Sequence, residues 1–301
     1  MSFTDFPVFH CLDTSASDAP VQADYPVSSS IRRKVIFFVR HGQYKTKAAS
    51  KDEKVLTDLG WRQAHTTGMY LRKLGIRIDR ITHSNLIRAR QTTAALLIGL
   101  TDESDILFDV PTLVNLSAPY CSELQGNYSI GVHQSISSGS SLAPLDSNAN
   151  QVYHKRTVAH PYQPYPNSPF DCQESHYLAE GPPPVAPQPP GASFITDDVR
   201  QVEGRRLEDG FRCHINRVRS RGLALPSHVE TVVFVGHANV FRYWLCRALQ
   251  LPPEAWLRIQ LYHGSVSCLV LDYDSESQGA CVVTATKIGE VGHMPKEMLS
   301  R

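Results

Sequence analysis

Four side chains in this 301-residue sequence have the types and settings to handle an anion. Arg40 and His41 stand together before Gly42, Arg88 lies near the start of a helical stretch, and His237 follows Gly236. If the elements that carry them are neighbours, two guanidinium groups and two imidazoles share one crevice. Like charges gathered away from water cost roughly several kcal/mol unless something answers them. The natural occupant is a multiply charged anion such as phosphate, which Arg binds through two parallel N–H donors.

The elements that must position these groups are legible as patterns. Val35 to Val39 is a β-branched and aromatic run of strand length that ends in Arg40-His41-Gly42-Gln43. Ligands of open α/β sheets bind beyond the carboxyl ends of the strands, so the polar tip falls where a ligand arrives. Val232 to Asn239 repeats the plan, with a buried strand that ends in Gly236 and His237, and a helix over 239–249 follows. Asn239 is expected to cap that helix, and Pro252-Pro253 stops it. Between these strands, Thr57 predicts the N-cap of a helix with an apolar face at Leu59, Ala64, Met69, Leu71 and Leu74. Residues 77–84 predict a second strand, residues 85–97 a second helix, and Ile106 to Val110 a third strand. Thr196 caps a further helix striped by Val199, Val202, Leu207, Phe211, Ile215 and Val218. Residues 266–273 and 281–288 close the chain as an antiparallel pair. The βα alternation predicts an α/β fold, a three-layer α/β/α arrangement with a central, mostly parallel sheet.

The chain divides into a tail over 1–33 and one domain over 34–301, interrupted at about 117–177 by a long irregular insertion rich in Ser, Pro, Tyr, Asn, His and Gln. The proline tract from Pro182 to Pro190 leads out of it and is expected to be extended polyproline. A net charge of +1 gives no global field for nucleic acid or an anionic membrane, so anion recognition must be local. The Arg run at 205, 206, 212, 217, 219 and 221 alternates with acids and is expected on the solvated side of a helix. Seven cysteines without a CxxC pair predict free thiols and a reducing compartment, by default the cytoplasm. No stretch reaches about 18 consecutive apolar residues, so no transmembrane segment is expected. His154, His160, His176 and Cys172 fit no compact ligand spacing, so no metal is expected there. Trp244 and Trp256 are expected in the core, while Tyr44 and His263 are open candidates for the lining of the crevice.

RHGQ at 40–43, LTDLGWRQA at 56–64, HSNLIRARQTT at 83–93 and VGHAN at 235–239, in that order, resemble the histidine phosphatase superfamily, which includes the phosphoglycerate mutases. The resemblance covers roughly residues 34–111 and 178–301. The longer run at 237–266 and GEVGHMP at 289–295 are similar to the superfamily's mitochondrial protein serine/threonine phosphatases. Mutases carry a Ser and an Asn soon after RHG, whereas this chain has Tyr44-Lys45-Thr46-Lys47, which turns the reading away from a mutase.

The resemblance implies a metal-independent phosphomonoester hydrolase that needs no cofactor. His41 would become a phosphohistidine, while Arg40, Arg88 and His237 hold the phosphoryl oxygens. Its preferred substrate would be phosphoserine or phosphothreonine of a phosphoprotein. The alternatives are small phosphorylated metabolites, phosphohistidine, or a weakly active phosphate-binding interaction protein. Relatives carry a catalytic Glu in an L-x-E-G-x-P segment soon after the third strand. Residues 112–119 contain no acid, whereas Leu178-Ala179-Glu180-Gly181-Pro182-Pro183 matches that segment, so Glu180 is nominated as general acid and base, with Glu123 as fallback. The mitochondrial members also carry an N-terminal membrane segment and a Trp-Asp-rich assembly motif that residues 1–33 lack, which leaves mitochondrial association resting on the resemblance alone. A homodimer through the domain is compatible with the pattern, with the GHMP segment as a candidate contact.

Overall fold

A computed structural model describes residues 31–47, 49–50, 53–102, 113, 168–187, 196–215, 229–274 and 281–301. The predicted third strand at 106–110, Glu123, His154, His160, Val218 and most of the 117–177 stretch lie outside these residues. Among the described residues, six strands form one sheet: β1 (Ile31–Arg40), β2 (Arg80–Ser84), β3 (Asp171–Ser175), β4 (Glu230–Gly236), β5 (Val266–Asp274) and β6 (Cys281–Glu290). Their order is β3-β2-β4-β1-β5-β6. β3, β2, β4 and β1 run parallel, while β5 joins β1 antiparallel and β6 closes the edge antiparallel to β5. The sheet is therefore mostly parallel, as expected, with the predicted hairpin at one end.

Helices α1 (Asp58–Lys73), α2 (Ile87–Thr101), α3 (Asp197–His214) and α4 (Ala238–Ala248) cover the two faces. Because side chains alternate along a strand, β1 feeds two cores. Phe37 and Val39 pack with Val233, Val235 and Ile81 among Trp61, Leu71, Leu96 and Leu97 of α1 and α2. Ile36 and Phe38 pack with Val232 and Phe234 among Phe211, Phe241, Trp244 and Leu245 of α3 and α4. A strand buried on both faces reads as a continuous apolar run, which is why β1 and β4 stood out in the sequence.

Several boundaries move. β1 begins at Ile31, within the span predicted as tail. β3, Asp-Cys-Gln-Glu-Ser, and the 3-10 turn His176–Leu178 occupy the end of the predicted irregular insertion. That strand buries little besides Cys172, so it carries no apolar alternation, and its backbone pairing to β2 holds it in place. Val199 and Val202 are 49% and 72% exposed, so the apolar stripe of α3 begins only at Leu207. The first turns of α3 instead pack Arg200 against the Val185 carbonyl at 3.3 Å. Arg206 is half-buried rather than solvated: its Nη1 donates to the carbonyls of His176 and Tyr177, both at 3.0 Å. That pair ties the turn before Glu180 to α3. α3 is in turn pinned to α4, because Tyr243 Oη and Arg247 Nη2 donate to the two oxygens of Glu208 at 2.7 and 2.9 Å.

The loop that leaves β1 rests directly on α1. A Cβ on Gly42 would lie 2.3 Å from the Gly60 carbonyl oxygen, and one on Gly60 would lie 2.0 Å from that of Gln43. Backbone meets backbone there, so neither side can yield by a rotamer change. Gly42→Ala is expected to destabilise the fold by about 3 kcal/mol, at the upper end for overpacking. Urea unfolding with an unchanged m-value measures it; a loss under about 0.5 kcal/mol would show that the loop can lift off.

Candidate active site

Register brings the two histidines together. Arg40 of β1 pairs with Gly236 of β4, so the next residues, His41 and His237, emerge side by side at the carboxyl ends of adjacent strands. Their ring centroids are 4.9 Å apart. The His41 backbone N–H donates to the Gly236 carbonyl at 2.9 Å, which locks the two tips to each other.

The His41 ring has a defined tautomer. Nδ1 lies 2.8 Å from its neighbour's carbonyl at Gly42, which can only accept, so Nδ1 carries the proton. Nε2 is left with its lone pair, and Arg88 Nε donates to it at 3.3 Å. Gly42 N–H donates to Thr92 Oγ1 at 3.0 Å and fixes the turn from the α2 side. Burial pushes the His41 pKa well below the usual imidazole value, and the neighbouring His237, Arg88 and Arg40 add to the push. The ring is neutral across the physiological range, with the Nε2 lone pair available to act as a nucleophile.

Arg88 sits in the first turn of α2, where the helix dipole disfavours a cation. That helix has no side-chain N-cap and no acid in its first turn, and α4, capped by His237, likewise has neither. Both helix N-termini therefore add positive field to the same place. His237, rather than the expected Asn239, is the N-cap of α4; Asn239 Oδ1 instead accepts from Arg242 Nη1 at 3.4 Å. The strand runs straight into the helix after Gly236, which shifts the cap forward by two residues.

Arg40 is half-buried, and burial together with nearby Arg242 lowers its pKa to about 10, so it keeps its charge at neutral pH. His237 Nε2 lies 2.9 Å from Ser84 Oγ at the tip of β2. Its Nδ1 has no hydrogen-bond partner among the described residues and lies 3.7 Å from Glu180 Oε2. Glu180 follows the 176–178 turn into the crevice with its side chain 29% exposed. Burial raises its pKa while Arg88, Arg40 and Arg242 pull the other way, and burial prevails. Tyr44 and His263 complete the wall, with ring centroids 5.1 and 5.4 Å from that of His41. Arg88 also stacks over the Tyr44 ring at 4.7 Å.

All five residues singled out from the sequence, Arg40, His41, Arg88, Glu180 and His237, therefore meet in one crevice. The groups the sequence did not announce are Ser84, Thr92 and Arg242. Ser and Thr at a strand tip or in a helix carry no distinguishing pattern, and Arg242 reads as an ordinary helix arginine. Among the described residues, no group of three or more His, Cys, Asp or Glu is placed to hold a metal ion. No described helix is long and apolar enough to cross a membrane.

Neutral imidazole burial leaves a signature in stability. Burial holds His83, His214 and His293 at about 4 and His263 at about 3. Each folded pKa lies below the unfolded value of about 6.5, so the unfolded chain takes up protons that the folded chain refuses. Stability is thus full above about pH 6.5 and falls below it, by up to about 1.4 kcal/mol per pH unit per group. Urea unfolding is expected to show a loss of a few kcal/mol between about pH 7 and 5.5. A flat profile across that range would mean that these rings protonate in place.

A crevice that joins a neutral histidine to two arginines and a second histidine at adjoining strand tips points to a class. The family model of the histidine phosphatase superfamily (branch 1) matches residues 36–107 and 208–282, and the chain belongs to that superfamily. Among curated proteins, the mitochondrial serine/threonine-protein phosphatase PGAM5 of Xenopus laevis is 30% identical over 268 residues, 88% of this chain and 68% of its own length. Its namesake in Mus musculus is 27% identical over 267 residues, 88% of this chain and 66% of its own. This chain thus spans about two thirds of the length of such relatives. Among solved structures, the phosphoglycerate mutase of Plasmodium falciparum is 20% identical over 88% of this chain and 96% of its own, with a TM-score of 0.39.

Proposed function

We propose that the chain is a metal-independent phosphomonoester hydrolase that acts through phosphohistidine at His41 on phosphoserine and phosphothreonine of proteins. One observation carries the reading. Arg40 Nε, His237 Nδ1 and Glu180 Oε1 are buried polar atoms without a hydrogen-bond partner among the described residues, and their residues converge on the nucleophile. Buried polar atoms without partners are costly, and a phosphoryl group satisfies both donors at once.

The chemistry follows from the tautomers. His41 Nε2 attacks phosphorus in line with the leaving oxygen, forming the N–P bond as the P–O bond breaks. Arg40, Arg88 and the Nδ1–H of His237, with Ser84 donating to Nε2, hold the three equatorial oxygens. Glu180, whose pKa is raised by burial, gives its proton to the leaving alkoxide. The resulting carboxylate then takes a proton from the water that attacks the phosphohistidine, which releases phosphate and restores both groups. Arginines supply the positive charge that a metal supplies elsewhere.

The protein-phosphatase assignment is supported by the PGAM5 relatives and by the Tyr44-Lys45-Thr46-Lys47 stretch, exposed from Lys45 onward beside the crevice. The proposed compartment is the reducing cytoplasm, supported by the five described cysteines, all free. The test is turnover of a phosphothreonine peptide beside an activated aryl phosphate, in EDTA. Hydrolysis of both is expected. Activity on the aryl ester alone would point to a small-molecule phosphatase, and loss of all activity in EDTA would sink the metal-independent mechanism.

A further inference from the structure

His263 lies outside the proposed catalytic set, yet it touches the group that would grip phosphate. Arg40 Nη2 is 3.0 Å from His263 Nε2. A guanidinium only donates, so Nε2 accepts and the ring proton sits on Nδ1. Nδ1 donates in turn to Ser300 Oγ at 3.0 Å, and Gln63 Nε2 donates to the same oxygen at 3.0 Å. The backbone repeats the connection, because His263 N–H donates to the Ser300 carbonyl at 3.0 Å. Arg40 Nη1 donates to the Leu261 carbonyl, and Gly264 N–H donates to the Arg40 carbonyl at 3.0 Å. Both arms and the backbone of Arg40 are thus held by residues 261–264, and that turn is held by Ser300.

The network also reaches the far side of the nucleophile. Gln63 Oε1 accepts from Gln43 N–H at 2.8 Å, two residues after His41, while its Nε2 donates to the Met298 carbonyl as well. A neutral acceptor suits the position better than a carboxylate. Burial, reinforced by Arg40 and Arg88, keeps the His263 ring uncharged, with its pKa pushed down to about 3. It therefore orients the guanidinium without neutralising the charge that an oxyanion needs.

We propose that His263 and Ser300 are positioning residues for Arg40, a relay through which the segment ending at Arg301 sets the phosphate affinity of the crevice. The inference rests on the crevice binding phosphate, and a binding readout separates the two. Orthophosphate binding would be measured by calorimetry on the whole chain, with thermal melts alongside. Ser300→Ala is expected to weaken binding roughly three- to tenfold, as for a neutral hydrogen bond, and His263→Leu about tenfold or more, as for a hydrogen bond to a charged group. His263→Gln, whose amide oxygen can accept from Arg40, should stay within about threefold of the wild type. His263→Asp should bind at least as weakly as His263→Leu, because its carboxylate cancels the Arg40 charge. In an Arg40→Ala background, His263→Leu should add less than about twofold, since the two act as one unit.

Ser300→Ala and His263→Leu both within about twofold of the wild type would overturn the relay. So would His263→Gln as weak as His263→Leu, or a full additive loss in the Arg40→Ala background. Should His263→Leu fail to fold, Ser300→Ala and His263→Gln decide the matter. A wild-type chain that binds no orthophosphate removes the phosphate reading itself, and the relay with it.

Discussion

His41→Ala is expected to lower kcat/KM on an aryl phosphate by about 10,000-fold or more, because it removes the atom that forms the covalent bond. The remaining groups should still bind the product. Arg40 is held by the Leu261 carbonyl and His237 by Ser84, while Arg88 loses its bond to the His41 ring but keeps its stacking on Tyr44. Inhibition by orthophosphate should therefore change by less than about tenfold. The wild type, quenched during turnover of labelled substrate, should carry a phosphoramidate that survives base and is lost in acid, and the variant should carry none. Residual activity above about 1% would mean that water attacks phosphorus directly and that His41 serves only to bind.

Glu180→Gln should separate substrates by their leaving groups. An alkoxide from phosphothreonine leaves poorly without a proton, whereas a nitrophenolate needs little help. We expect kcat/KM to fall by about 100- to 1,000-fold on the phosphothreonine peptide and by less than about tenfold on the nitrophenyl ester. The kcat/KM ratio is the informative quantity, because it reports steps up to phosphoryl transfer and not the later hydrolysis in which Glu180 is proposed to act as base. That hydrolysis should slow too, so the labelled phosphohistidine should accumulate in the variant. Equal losses on both esters would reduce Glu180 to an electrostatic neighbour of His237, 3.7 Å away.

Local rules made much of the fold legible in the sequence. Thr57 caps α1, with its Oγ1 accepting from Gly60 N–H at 3.2 Å, and Thr196 caps α3 by accepting from Val199 N–H at 3.5 Å. β1 and β4 announced themselves because a strand covered on both faces must be apolar throughout. β5 and β6 were visible as a hairpin of adequate length. The failures have one origin, which is that long-range partners leave no local trace. β3 is polar because only its edge position and its pairing with β2 are needed, and nothing in Asp171 to Ser175 shows either. The exposed Val199 and Val202 look like core until the proline stretch before α3 is seen to meet Arg200 instead.

By itself, the sequence offered Arg40, His41, Arg88 and His237 as candidates through residue type and setting, whereas Glu180 was nominated only through the likeness of residues 178–183 to a family segment. It also predicted that two of them stand at the ends of buried strands, since each follows an apolar run of strand length. Only the tertiary structure decided that those strands are neighbours in register, with Arg40 opposite Gly236, so that His41 and His237 adjoin. It also decided the His41 tautomer, through the Gly42 carbonyl, and drew Ser300, remote in the chain, to the ring that orients Arg40. Those outcomes depend on hydrogen bonds between residues up to 223 apart in sequence, which no periodicity can encode.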